Sequence, residues 1–127
     1  MKRITAFFLF LVLIFAGCSG KDENTTYKQI SQEEAKEMMD TEDVIILDVR
    51  EQDEYDSGHI PGAVLLPVGT IDEDTAASVI PEKDSIVLVY CRSGNRSKNA
   101  SAALVELGYT AIYEFSGINT WPYEIEQ

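Results

Sequence analysis

Cysteine, histidine and positive charge are scarce in this chain. Its 127 residues include two cysteines, Cys18 and Cys91, and one histidine, His59. Two cysteines exclude a multi-bridge disulfide scaffold. Lys and Arg number 10 against 22 Asp and Glu, for a formal net charge of −12. That balance argues against nucleic acid as a partner and against docking on an anionic lipid surface. Internal repeats are absent. The apolar run Ile4–Ala16 falls short of the roughly 20 residues that a stable membrane span needs. What remains is one domain's length of ordinary, 45% hydrophobic composition.

The N-terminus reads as an export signal rather than as part of the fold. "MKR" is a positive n-region, and "ITAFFLFLVLIFA" is an apolar core ending at the small residues Ala16 and Gly17. An uncleaved anchor is the bland alternative. "FAGC" resembles a bacterial lipobox, in which cleavage before the cysteine leaves its thiol to carry a lipid. Phe15 departs from that pattern, which usually has Leu three residues before the cysteine. Residues 1–17 are thus expected to be a lipoprotein-type signal peptide and Cys18 the lipid attachment point. The mature chain then keeps 8 basic residues against 22 acidic ones, a charge of −14. The polar stretch 18–26, "CSGKDENTT", reads as a flexible tether. The expected location is the cell envelope, on the outer face of a bacterial membrane, with residues 27–127 as the folded domain.

Along that domain, strand and helix patterns alternate. "YKQI" is a short strand candidate, and Ser31 with Glu34 has the spacing of a capping box. "VIILDV" (44–49) and "IVLVY" (86–90) are continuous apolar runs of the kind buried on both faces of a sheet. "AVLLP" is another short strand, followed by a weak helix around 72–79 that Pro81 stops. A helix starting near Ser97 runs to the C-cap signal Gly108, and "YTAIYEF" is the last strand. The alternation implies an α/β fold with a parallel sheet and helices on both faces. Ligands of such sheets bind beyond the carboxyl ends of the strands, where Cys91 lies.

If Cys18 carries lipid, Cys91 has no partner, and an exported free thiol asks for a functional explanation. A Cys18–Cys91 disulfide and an inert buried thiol are the structural alternatives. In "CRSGNRS" (91–97), successive backbone N–H groups form an anion-binding nest before a helix N-terminus. Gly94 permits positive φ or close backbone approach. Arg92 and Arg96 add two positive charges. Each feature favours thiolate over thiol, and comparable sites lower a cysteine pKa from about 8.5 to roughly 3.5–7.5. A Cys91–His59 dyad is not needed for this activation. The expected site is a nucleophilic Cys91 in a substrate loop of Arg92, Ser93, Gly94, Asn95 and Arg96, with no metal and no cofactor.

These residues carry a specific resemblance. "CRSGNR" is similar to the C-x-x-G-x-R active-site loop of single-domain rhodaneses, which are sulfurtransferases. "DVREQDEYDSGHIPGA" (48–63) is similar to that family's second signature, and "FSGINTW" (115–121) weakly resembles its closing glycine–tryptophan segment. The resemblance spans nearly everything from Tyr27 onward. It implies a rhodanese-like, five-stranded, mostly parallel sheet. It also implies a Cys91 persulfide fed by a small anionic donor such as thiosulfate and discharged to cyanide or a thiol. A sulfur-carrier or redox-sensing module that passes sulfur to a partner protein is the second reading. Phosphatases of this fold have the longer C-x(5)-R loop, so phosphatase or arsenate reductase chemistry is a minor one. Asp48, Arg50 and His59 have supporting places here: Asp48 and Arg50 either form a charge network beneath the loop or orient the next turn, and His59 holds that turn.

Overall fold

The computed structural model describes residues 26–127. The expected signal peptide, Cys18 and the tether through residue 25 lie outside the described residues.

Five strands form one sheet: β1 Lys28–Gln29, β2 Ile45–Asp48, β3 Val64–Leu65, β4 Ile86–Cys91 and β5 Ala111–Gly117. Their spatial order is β1-β5-β4-β2-β3. Every pairing is parallel, so the expected "mostly parallel" sheet is wholly parallel. The helices are α1 Gln32–Thr41, α2 Gln52–Ser57, α3 Glu73–Val79 and α4 Asn95–Glu106. β4 sits at the centre, and its apolar sequence follows from that place. Val87 and Val89 pack with Leu47, Ile112, Ala76 of α3 and Leu104 of α4 on one face. Leu88 and Tyr90 pack with Phe115, Ala35 of α1 and Ile60 on the other.

Local chemistry sets the ends of the helices. The Ser31 hydroxyl accepts from Glu34 N at 3.0 Å at the start of α1. Asp72 accepts from Thr75 N at 2.8 Å at the start of α3, while the Thr75 hydroxyl accepts from Asp72 N at 2.9 Å. These caps satisfy backbone donors that a first turn leaves unpaired. The last residues fold back. Glu126 and His59 exchange backbone hydrogen bonds of 2.8 Å in both directions, which ties the C-terminal segment to the turn before β3.

Candidate active site

Cys91 is the last residue of β4 and only 1% exposed. The chain turns sharply there and enters α4. Gly94 makes the turn at φ +113, a region that costs other L-residues steric energy. α4 begins at Asn95, two residues before the expected start, because the Gly94 turn already aligns the next peptides with the helix axis. Asn95 and Arg96 therefore belong to the helix's first turn. Gly94 N donates to Cys91 Sγ at 3.0 Å, and Sγ lies 3.4 Å from Ser97 Oγ. Burial pushes the Cys91 thiol up. Hydrogen bonds from the Ser97 hydroxyl and from the N–H groups of Ser97, Gly94 and Ser93 outweigh it, and the net value lies below that of an ordinary thiol. The geometry assembles a thiolate cradle from backbone donors, with no imidazole among its hydrogen-bond partners.

The two arginines do not act as an equivalent pair. Arg96 Nη1 and Nη2 donate to the two carboxylate oxygens of Glu54, at 2.6 and 2.9 Å. Both arginines bring the expected positive charge, but that of Arg96 is matched by a carboxylate from α2. The Arg96 guanidinium holds the Glu54 carboxyl down at about 2. Hydrogen bonding to Glu54 raises Arg96 in turn. Arg92 is exposed and, among the described residues, has no carboxylate within salt-bridge distance. Its carbonyl accepts from Asn119 N at 3.1 Å, which fastens the turn to the segment after β5. Ser93 and Asn95 are also exposed.

Asp48 and Arg50 form a buried network one strand away. Arg50 Nη2 donates to Asp48 Oδ2 at 2.7 Å and to the Gly58 carbonyl at 2.8 Å. Tyr90 donates its hydroxyl to Asp48 Oδ2 at 2.7 Å and accepts from Ile60 N at 3.1 Å. Burial, followed by the Asp48 contacts, raises the Tyr90 phenol, so it remains a neutral donor. The network ties β2 and β4 to the turn before β3. Neither Asp48 nor Arg50 hydrogen-bonds to Cys91. His59 lies flat on Tyr55, with ring centroids 3.8 Å apart. Its Nδ1 is 2.9 Å from the Tyr55 carbonyl, and its Nε2 is 3.3 Å from Glu126 Oε1. It holds the turn and is not a partner of the sulfur.

Residues 31–121 match the family described as Rhodanese-like domain. The chain belongs to the rhodanese-like sulfurtransferases. It is 38% identical over 96 residues to "Thiosulfate sulfurtransferase GlpE" of Coxiella burnetii, a match covering 75% of this chain and 87% of that one. It is 31% identical over 112 residues to "Putative sulfur carrier protein YrkF" of Bacillus subtilis, covering 87% of this chain and 59% of that one. Among solved structures, the rhodanese-like domain of the Anabaena protein Alr3790 superposes with a TM-score of 0.71 at 26% identity, covering 80% of each chain.

The parts that three residues play in this rhodanese domain's site escaped the sequence reading. Glu54 lies within the second signature, but its pairing with Arg96 joins positions 42 residues apart. Gly117 lies where β5 passes beneath the turn; a Cβ there would collide with the Arg92 carbonyl group and stand 2.6 Å from Ser93 N. Glu114 is 2% exposed, with Oε1 2.8 Å from Ser97 Oγ. A carboxylate inside an apolar strand was the one available signal for it. A separate cavity of about 580 Å³ lies between α1 and the C-terminal segment, lined in part by Met39, Ile46, Trp121 and Tyr123. No residue of the 91–97 loop borders it.

Proposed function

We propose that the domain transfers sulfane sulfur through a Cys91 persulfide. The observation that carries this reading is the Cys91 sulfur held by the Gly94 N–H at the head of α4. The Cys91 thiolate attacks the outer sulfur of a donor such as thiosulfate. An S–S bond to Sγ forms, the donor's own S–S bond breaks, and sulfite leaves with the electron pair. One negative charge moves from Sγ to the outer sulfur, where the N-terminus of α4 and the exposed Arg92 favour it. Cyanide or a thiolate then attacks that outer sulfur, and Cys91 leaves as thiolate. This is covalent catalysis in two half-reactions. Thiosulfate followed by cyanide should yield thiocyanate, and the Cys91→Ser variant should yield none. Turnover retained by the serine variant overturns the assignment.

The sulfur-carrier reading draws support from the near-complete burial of Cys91, which suits a sulfur kept for a dedicated acceptor. Under it, intact-protein mass spectrometry shows one added sulfur after thiosulfate, while steady turnover with cyanide or small thiols is absent. For the N-terminus, the proposal is a lipid on Cys18 that tethers the domain to the outer face of a bacterial membrane. Cys18→Ser should release the domain from the membrane or block processing. A mature N-terminus elsewhere and without lipid removes the tether and leaves the enzyme reading intact.

A further inference from the structure

Glu114 is a buried carboxylate with no cation within salt-bridge distance among the described residues. Desolvation of an unpaired charge is expensive, and two donors offset it here. Ser97 Oγ and Ser116 N both donate to Oε1, each at 2.8 Å. Ser116 holds φ +73, which few non-glycine residues adopt, so its N–H is aimed by an uncommon backbone turn. On its other side, Ser97 Oγ approaches Cys91 Sγ at 3.4 Å, the Gly94 carbonyl at 2.9 Å and the Ser116 carbonyl at 3.3 Å. A hydroxyl has one proton to donate; three oxygen acceptors surround this one, and the Cys91 sulfur, which as a thiol donates to Ser97 Oγ, becomes a fourth on ionising. A carboxylate is the strongest of them while Cys91 is a neutral thiol, because charge-assisted bonds are the shorter and stronger kind.

We propose that Glu114 is a positioning residue that competes with Cys91 for the single hydroxyl proton of Ser97, and so sets how readily the sulfur becomes a nucleophile. With Cys91 as a thiol, Ser97 donates to Glu114. When the sulfur ionises, the hydroxyl turns to it, and the carboxylate keeps only Ser116 N. Two negative charges then share one buried network, which opposes ionisation of the sulfur. Glu114 thus tempers the cradle described above. The other titratable groups on the elements around Glu114 are engaged elsewhere or face water. Arg96 on α4 pairs with Glu54, and Lys98 and Arg92 are exposed. On β1, Gln29 rather than Lys28 shares the Glu114 register position. The significance of this device rests on Cys91 being the sulfur-transfer nucleophile, but its existence does not.

The test is the pH profile of Cys91 alkylation by iodoacetamide, which needs no sulfur transfer. Thiocyanate production is measured in parallel, so failure of the transfer reading leaves the profile interpretable. Glu114→Gln keeps the shape and an oxygen acceptor but removes the charge. Its alkylation midpoint should fall by about one pH unit, a tenfold increase in acid dissociation. In a Ser97→Ala background the same substitution should shift the midpoint by less than about half a unit, because the shared proton is gone and only charge repulsion remains. An unchanged or raised midpoint in Glu114→Gln overturns the proposal, as does an equal shift in the Ser97→Ala background. A wild-type measurement guards against a misfolded variant. With glutamate carboxyls ¹³C-labelled, one resonance should titrate with the Cys91 midpoint and lose that step once Cys91 is alkylated. No such resonance also overturns the proposal.

Discussion

At Gly117 the requirement is space rather than conformational freedom. Its backbone is extended, at φ −158, which any residue can adopt. The atoms nearest to a Cβ there are all backbone, the Arg92 carbonyl and Ser93 N, so no side-chain rotamer can relieve the clash. Gly117→Ala should push the 92–94 turn outward, move the Gly94 N–H away from Sγ and raise the thiol's pKa. Expected results are a loss of about 1–3 kcal/mol of stability by denaturant titration and at least a tenfold loss of thiocyanate production, the energetic equivalent of about 1.4 kcal/mol. Gly108→Ala is the control. Gly108 has φ +97 but open space around it, so that variant should lose stability while keeping activity. The Cys91 sulfur itself should react above a midpoint lying below that of an ordinary thiol, about 8.5. Its reactivity falls as pH drops through that midpoint, because only the thiolate is nucleophilic.

Between elements, the Glu54–Arg96 pair joins α2 to the first turn of α4 and so fixes the direction in which that helix meets Cys91. The Glu54 carboxyl stands at about 2 in the folded protein, against about 4.3 in an unfolded chain. A lowered carboxyl pKa stabilises the fold fully above the unfolded value, and that contribution is lost as pH falls from about 4.3 through 2. Glu54→Gln should reduce stability at neutral pH by about 2 kcal/mol, the scale of a charge-assisted hydrogen bond. The same variant should flatten the fall in stability between about pH 4.3 and 2. Denaturant titrations across that range check both. A wild-type slope retained by the variant would mean that other carboxylates carry the acid sensitivity.

On the scale of the molecule, a net charge of −12 surrounds a site for which an anionic donor is proposed. Screening reconciles the two, since charges beyond about 8 Å are largely masked at physiological salt. What counts is the local inventory: the N-terminus of α4, the exposed Arg92 and the neutralised Arg96–Glu54 pair. Iodoacetate and iodoacetamide compare an anionic with a neutral probe of one thiol. Their rate ratio at Cys91 should exceed that of a free thiol, and added salt should erode the excess. Arg92→Ala should reduce the ratio more than the double replacement Glu54→Gln/Arg96→Ala does, because the Arg96–Glu54 pair carries no net charge. The opposite order would assign donor recognition to Arg96 despite its pairing.

The sequence by itself determined the layered α/β fold, the central place of β4, and the juxtaposition of a cysteine, a glycine turn and a helix start at 91–97. These depend on local patterns: apolar runs that demand burial on two faces, and a turn residue between strand and helix. The structural parts of Asp48, Arg50 and His59 were legible for the same reason, since all three flank one turn. Tertiary structure alone decided which charges remain free. Arg96 reads as an open cation until α2 delivers Glu54 to it across 42 positions. Glu114 reads as a misplaced charge in a strand until β5 sets it beneath Ser97, and Gly117 only as the glycine of a closing motif until the Arg92 peptide lies over it. Long-range pairing leaves no periodicity in the chain, because its partners are chosen by how the sheet and helices pack and not by their neighbours in sequence.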